Sequence, residues 1–206
     1  MEGTMAKYHF TKKDFEVFNI DGLEPRMAAL IELIRPKLNH LGDHFSTFLT
    51  EHTGDVYYAH VAKHLRRKTN PPNDTWVAFA INKRGYKMLP HFQIGMFGTH
   101  AFVLYGVIYE SPEKTRVAEL WKNNVDGLLT LPDDFIMKKD HMKEDFEQVS
   151  HMSEEELLSA IERLQKVKKG ELLFGKVYQP DHPALKSDDA FINEIEETFL
   201  TLIEIM

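Results

Sequence analysis

The chain contains no cysteine, which excludes a disulfide framework and a thiolate metal site. Long apolar runs are also missing. The longest, Ala101 to Tyr109, is about half the ~20 residues that a membrane-crossing helix needs. The first ten residues, MEGTMAKYHF, hold no apolar stretch of the kind an export signal requires. These absences lead us to expect a soluble, cytoplasmic protein that does not enter a membrane. There is no internal repeat, low-complexity tract or linker, and no nucleophile elbow, phosphate-cradling glycine loop or zincin signature. Motifs therefore name no reaction class and no cofactor, and they leave open whether the chain is an enzyme.

What is present is an ordinary globular composition with one anomaly. Apolar residues make up 43% and charged residues 28% of 206 residues, enough to bury roughly 70% of the unfolded surface. The net charge is −7, yet the segment from Lys63 to Lys87 carries +6, from seven basic residues against the single acid Asp74, leaving −13 for the remainder. A chain that repels anions almost everywhere keeps one place that attracts them. The same balance argues against broad nucleic-acid affinity.

Periodicity divides the chain into helices and strands. Thr11 suits a helix N-cap, with a short helix to Phe18. From about Glu24 to His52, Met27, Leu30, Ile31, Ile34, Leu38, Leu41, Phe45, Phe48 and Leu49 share one helical side, with Pro36 and Gly42 expected to kink or split it. The period then drops to two. Strands are expected over 56–64, 76–82, 91–96 and 101–110, joined closely enough for an antiparallel meander. Ser111 and Pro112 open a helix to about Val125, and a weak strand covers 135–139. Ser153 with Glu156 forms a capping box, 172–178 reads as a strand, and Ser187 caps a last helix. One α+β domain over 1–206 is the economical reading, a mainly antiparallel sheet against several helices, with about 1–9 a loosely ordered extension.

Several strings are distinctive: NPPNDTWVAF (70–79), KRGYK (83–87), PHFQIG (90–95), HVAKH (60–64), DFEVFNIDGLEPRM (14–27) and DHMK (140–143). They resemble the small bacterial proteins of the YktB type, from about Phe10 to the C-terminus. That resemblance implies a single α+β domain of intracellular bacterial origin. It brings no activity, ligand or catalytic residue with it.

The central hairpin carries the candidate chemistry. Val77, Phe79 and Ile81 should share a core face with Phe92, Ile94 and Met96, leaving small residues with polar handles, including Gln93 and Gly95, on the other. A helix packed on that second face is one expectation and a ligand approaching it is the other. The leading reading is a non-catalytic module for a small phosphate- or carboxylate-bearing ligand, held by Arg66, Arg67, Lys83 and Arg84, with Trp76, Tyr86 and Gln93 lining the approach. The alternative is a hydrolase or transferase acting on a phosphorylated substrate, using His64, Asp74 and His91. A third is an interaction surface for an acidic protein partner or RNA. No metal centre is expected. His60 and His64 lie roughly 13 Å apart on a strand, His40 and His44 lack a third ligand, and Asp140, His141, Glu144 and Asp145 read as a solvated loop. Oligomeric state is not legible.

Overall fold

The computed structural model describes residues 6–206. Its centre is a seven-stranded, wholly antiparallel sheet, flanked by helices, in an α+β arrangement. Helix α1 (Lys12–Glu16) begins where the Asp14 carboxylate turns back to accept from the Thr11 N–H and hydroxyl. Helix α2 (Leu23–Ala29) follows the Gly22 turn and leads through a π-helical segment, Leu30–Ile34, into α3 (Arg35–Thr53). Strands β1 (Tyr58–Val61), β2 (Asp74–Ala80), β3 (His91–Phe97) and β4 (Ala101–Val107) form the expected meander. Helices α4 (Lys114–Asn123) and α5 (Val125–Leu129) lead to β5 (Ile136–Lys138) and β6 (Glu147–Gln148). Helix α6 (Glu154–Lys166), strand β7 (Leu172–Tyr178) and helix α7 (Asp188–Ile203) complete the chain. The strand order is β1-β2-β3-β4-β7-β5-β6, so β7 enters between β4 and β5.

The long helix differs from its sequence reading in a physically simple way. Pro36 has no N–H, and its ring opposes the carbonyl four residues earlier. The chain meets this one turn upstream by widening into the π segment, where the Arg35 N–H reaches the Leu30 carbonyl. Gly42 does not break α3 at all. A Cβ there would lie 3.0 Å from the Ala59 Cβ, so its small size lets α3 rest directly on β1. The helix instead ends at Gly54, in the left-handed conformation at φ 82°.

Alternation along the strands sorts the two faces of the sheet. Val77, Phe79, Phe92, Ile94, Val103, Tyr105 and Phe174 face the helices, and Phe199 of α7 packs within 4.8 Å of Phe92 and 5.3 Å of Phe45, ring centre to centre. Trp121 of α4 stands edge-on to Phe174 at 5.1 Å. The buried apolar residues of α1, α3, α4, α5, α6 and α7 all belong to this one cluster. The second face has a smaller apolar patch of Phe97, Phe102, Leu104, Ile108, Ile136 and Leu173, closed by Trp76, Tyr86 and Val177. Connecting segments, rather than the expected helix, supply its cover.

The start of the chain is tied to its last helix. Residues 1–5 of the expected loose extension lie outside the described residues, but the backbone N–H groups of Lys7, Tyr8 and His9 all donate to the Asp188 carboxylate, at 3.0, 2.8 and 3.0 Å. Burial pushes this carboxyl up, yet those donors and the His9 ring outweigh it and hold it far below the usual range. A carboxylate with a depressed folded-state pKa stabilises fully above the unfolded value and loses its effect as pH falls toward the folded one. Asp188→Asn should therefore cost about 1 kcal/mol at pH 7, after allowance for its partial exposure. The deficit should shrink below about pH 4, as read by urea unfolding across pH.

Candidate functional site

The second face is unusual for its buried polar side chains. His91 and Gln93, expected on this face, are joined by Asp74, His100, Lys138 and Glu171, all buried on it or at its ends. Ala78 pairs with Gln93, Gln93 with Leu104, Leu104 with Gly175, and Gly175 with Ile136, so a row of side chains runs across five strands. Along the next row His91 pairs with Gly106, Gly106 with Leu173 and Leu173 with Lys138. Gly106 is required there because a Cβ would lie 2.2 Å from the Leu172 carbonyl oxygen.

The hairpin holds His91 as a fixed structural polar group. Its Nδ1 donates to the Leu89 carbonyl at 2.8 Å, and its Nε2 accepts from the Gln93 amide at 2.8 Å. Burial lowers its pKa to about 4, and with both nitrogens engaged it has no free lone pair to act as a base. Tyr86 lies over it at 4.8 Å between ring centres and accepts from the Trp76 Nε1–H at 3.1 Å. Burial pushes the Tyr86 hydroxyl up to about 12. The loop after β2 thus folds back across the sheet, and the two aromatic residues expected at a ligand use their polar atoms on each other.

His64 is held differently. It is the one non-glycine residue described with a left-handed backbone, at φ 54°, a conformation that costs roughly 1–2 kcal/mol. Its Nε2 meets the Thr75 hydroxyl at 3.2 Å and its ring stands edge-on to Trp76 at 5.6 Å. Burial, then the charges of Arg67 and Arg35, lower its pKa to about 4, so it is neutral at pH 7. No hydrogen bond joins His64, Asp74 and His91 to one another among the described residues.

The basic residues divide into two groups. Arg66 and Arg67 lie in the loop before β2, whereas Lys83 and Arg84 lie in the loop after it. The seven-residue strand between sets the loops about 20 Å apart at their roots. Lys83 and Arg84 point outward, with the Arg84 N–H turned onto Asn82 Oδ1. The first group gains a member the sequence did not suggest: Arg35 of α3 reaches the Lys63 carbonyl at 3.5 Å. Arg26, buried nearby, fixes the proline connection by donating to the Ile20 and Pro72 carbonyls at 2.8 and 3.0 Å.

Around Asp74 the charges converge. Burial raises this carboxyl to about 6, while His141, Arg67 and Lys138 each pull it down. Lys138 is 1% exposed, donates to the Lys143 carbonyl at 2.6 Å and sits 5.1 Å from the Phe97 ring centre. Its burial lowers the ammonium pKa to about 8 against the pull of Asp145, Asp140, Glu144 and Asp74. His100 Nδ1 faces the Thr99 hydroxyl, which donates to Glu144, and its buried Nε2 has no partner among the described residues. The loop carrying Asp140 and His141 is tied to Glu171: the His141 N–H and Nδ1 both reach Glu171 Oε2, at 2.9 and 2.7 Å. Lys138 could have been found from strand alternation, since it shares the parity of Ile136. Glu171 and His100 gave no local signal.

The class that fold and site define is a one-sided α+β sheet protein whose second face is closed by loops over buried ionisable groups. The chain belongs to the family described as a domain of unknown function, DUF1054, whose model matches residues 10–206. It is 63% identical over 199 residues to a UPF0637 protein of Macrococcus caseolyticus, covering 97% of this chain and 98% of that one. It is 51% identical over 195 residues to UPF0637 protein SAS1041 of Staphylococcus aureus, covering 95% and 96%. To UPF0637 protein SSP1683 of Staphylococcus saprophyticus it is 47% identical over 200 residues, covering 97% and 98%. These relatives agree with the bacterial origin implied by the resemblance. No helix of the described residues is long and apolar enough to cross a membrane.

Asp74 supplies a test of this electrostatic picture. A carboxyl whose folded pKa lies above its unfolded value favours folding below the unfolded value of 3.8 and loses that contribution as pH rises to about 6. Asp74→Asn removes the titration while preserving shape. We expect the variant to be more stable at pH 7 by about 2–3 kcal/mol, and its stability to change less between pH 4 and 6 than that of the parent. Thermal unfolding at a series of pH values reads both.

Proposed function

We propose that the protein is a cytoplasmic, single-domain binding module for a small phosphate- or carboxylate-bearing ligand, which docks on the loop between β1 and β2. One observation carries this reading. Arg67 and Arg35 lie close enough to His64 to lower its pKa, Lys63, Arg66 and Lys68 flank it along the same loop, and none of the five forms an ion pair among the described residues, in a chain with seven more acids than bases. Self-repulsion makes such a cluster unfavourable unless an anion relieves it. Arginine's planar fork suits bidentate capture of phosphate or carboxylate. Neutral His64 adds a hydrogen-bonding edge without further positive charge. Lys83 and Arg84 form a separate outward pair that a longer ligand would have to cross the sheet to reach.

The test uses inorganic pyrophosphate and citrate as probes. Either should raise the melting temperature at low ionic strength, and the shift should fall as salt is added. Replacing Arg35, Arg66 and Arg67 together by Glu should abolish the shift, while Lys83→Glu with Arg84→Glu should leave most of it. Equal shifts in the parent and the first triple variant would sink the reading.

The hydrolase or transferase alternative draws on a different observation. Asp74 at about 6 and Lys138 at about 8 are buried groups poised to exchange protons near neutrality. Turnover of p-nitrophenyl phosphate that disappears in Lys138→Met, with unchanged unfolding, would bring that reading forward.

A further inference from the structure

The connection after β5 and the residue before β7 bring together side chains that the ligand reading above leaves unused. Strands β5 and β7 are antiparallel neighbours, with Lys138 opposite Leu173, so the chain leaving β5 passes the chain entering β7. Asp140, His141 and Glu171 meet there. One ligand atom from each lies within 4.8 Å of the others.

The surroundings set this group apart from a wet acidic loop. Glu171 is 4% exposed, yet no Lys or Arg side chain pairs with it among the described residues. Its Oε1 accepts from the Tyr109 N–H at 3.3 Å, which aims Oε2 at His141. Oε2 and His141 Nδ1 stand 2.7 Å apart with one proton between them, close to the spacing of two neighbouring ligands on one small ion. His141 is itself mostly buried, so among the described residues the only ionisable side chain in direct contact with the Glu171 carboxylate is an imidazole, beside the backbone N–H groups of Tyr109 and His141. Asp140 is 44% exposed; its Oδ1 accepts from the Met142 N–H at 2.9 Å, while its Oδ2 has only a long contact to Lys143 at 3.9 Å and is the oxygen left to turn inward.

We infer that Asp140, His141 and Glu171 form a binding site for a divalent first-row transition cation such as Zn²⁺ or Mn²⁺. An ion held at about 2.0–2.2 Å from each donor needs them about 3–4 Å apart, so the 2.7 Å Nδ1–Oε2 pair has to open by a few tenths of an ångström and Asp140 has to turn toward it. It takes the place of the proton between Nδ1 and Oε2, and the neutral ring carries its hydrogen on Nε2 instead. Tyr109 continues to orient Glu171 from behind, as an outer partner of a metal ligand does. An imidazole with two carboxylates favours these ions over Ca²⁺, which prefers six or more oxygens. Three protein ligands leave coordination positions open for water or an anionic group. The site does not depend on the basic loop and stands or falls separately from it.

Isothermal titration of the full chain with ZnCl₂, MnCl₂ and CaCl₂ in metal-free buffer tests this. One Zn²⁺ per chain should bind saturably, more tightly than Ca²⁺. Asp140→Asn should weaken Zn²⁺ binding roughly tenfold or more with no change in melting temperature, and His141→Gln should remove the site. Glu171 is buried and its carboxylate holds the backbone N–H groups of Tyr109 and His141, so replacing it mixes folding with binding and the exposed Asp140 carries the decision. The chain has 11 histidines, so binding by itself is not enough. Absence of saturable Zn²⁺ and Mn²⁺ binding up to about 1 mM, a Kd that corresponds to only ~4 kcal/mol, would overturn the inference. So would binding that persists undiminished in both variants.

Discussion

Strand alternation imposes the governing constraint. Each central strand must satisfy two coverings of different chemistry, and the helices supply only one of them. On their side the requirement is simple: Phe79, Phe92, Val103 and Phe174 lose water to Phe45, Phe199 and Trp121. On the other side the cover is backbone and polar side chain, so each buried polar group there needs a partner in place. His91 has Leu89 and Gln93, Trp76 has Tyr86, and Lys138 has the Lys143 carbonyl. A one-residue slip in β3 would carry Gln93 into the apolar face and Phe92 onto the loops, so the two chemistries together fix the register.

The same division explains what could be read without coordinates. Helix caps are local: Ser153 with Glu156, and Ser187 before α7, are formed as their spacing suggested. The meander followed from short connections and alternation, and the mixed fold class from the change of period. The second face was different. Its composition on the hairpin was legible, but its cover was not, because Tyr86 has to fold back from the hairpin's own loop while Lys138 and Glu171 arrive from distant parts of the chain. Nothing local places Glu171 on this face or Arg35 beside the loop before β2, and His100, in the turn after β3, gives no sign that it is buried there. Pro36 announced a disturbance in the long helix without saying that it would appear as a widened turn upstream. The two basic loops leave opposite ends of β2, a separation that a count of basic residues along the chain does not reveal.

Buried ionisable groups usually lower stability, and this face holds several within one electrostatic neighbourhood. Burial drives the carboxyl of Asp74 up and His91, His100 and Lys138 down, each toward its neutral form. An apolar filling of the same shape would satisfy the sheet equally well and avoid that cost. A core built only for stability has no use for Lys138 under the Asp140 loop or for a left-handed His64. These are the positions where local preference and global fold disagree, which is the usual mark of residues kept for something other than folding.

Asp74 joins the two regions that carry the functional proposals. It feels Arg67 from the loop before β2 and His141 and Lys138 from the loop after β5. An anion held at Arg67 would weaken one of the pulls that keep this carboxyl ionised, and a divalent cation at His141 would strengthen another. The two ligands would thus drive Asp74 in opposite directions, one toward its protonated form and the other toward its charged form. Because linkage is reciprocal, the protonation state of Asp74 would feed back on both. A carboxyl already raised to about 6 is near the midpoint where such pushes have the largest effect on its charge in mildly acidic to neutral solution.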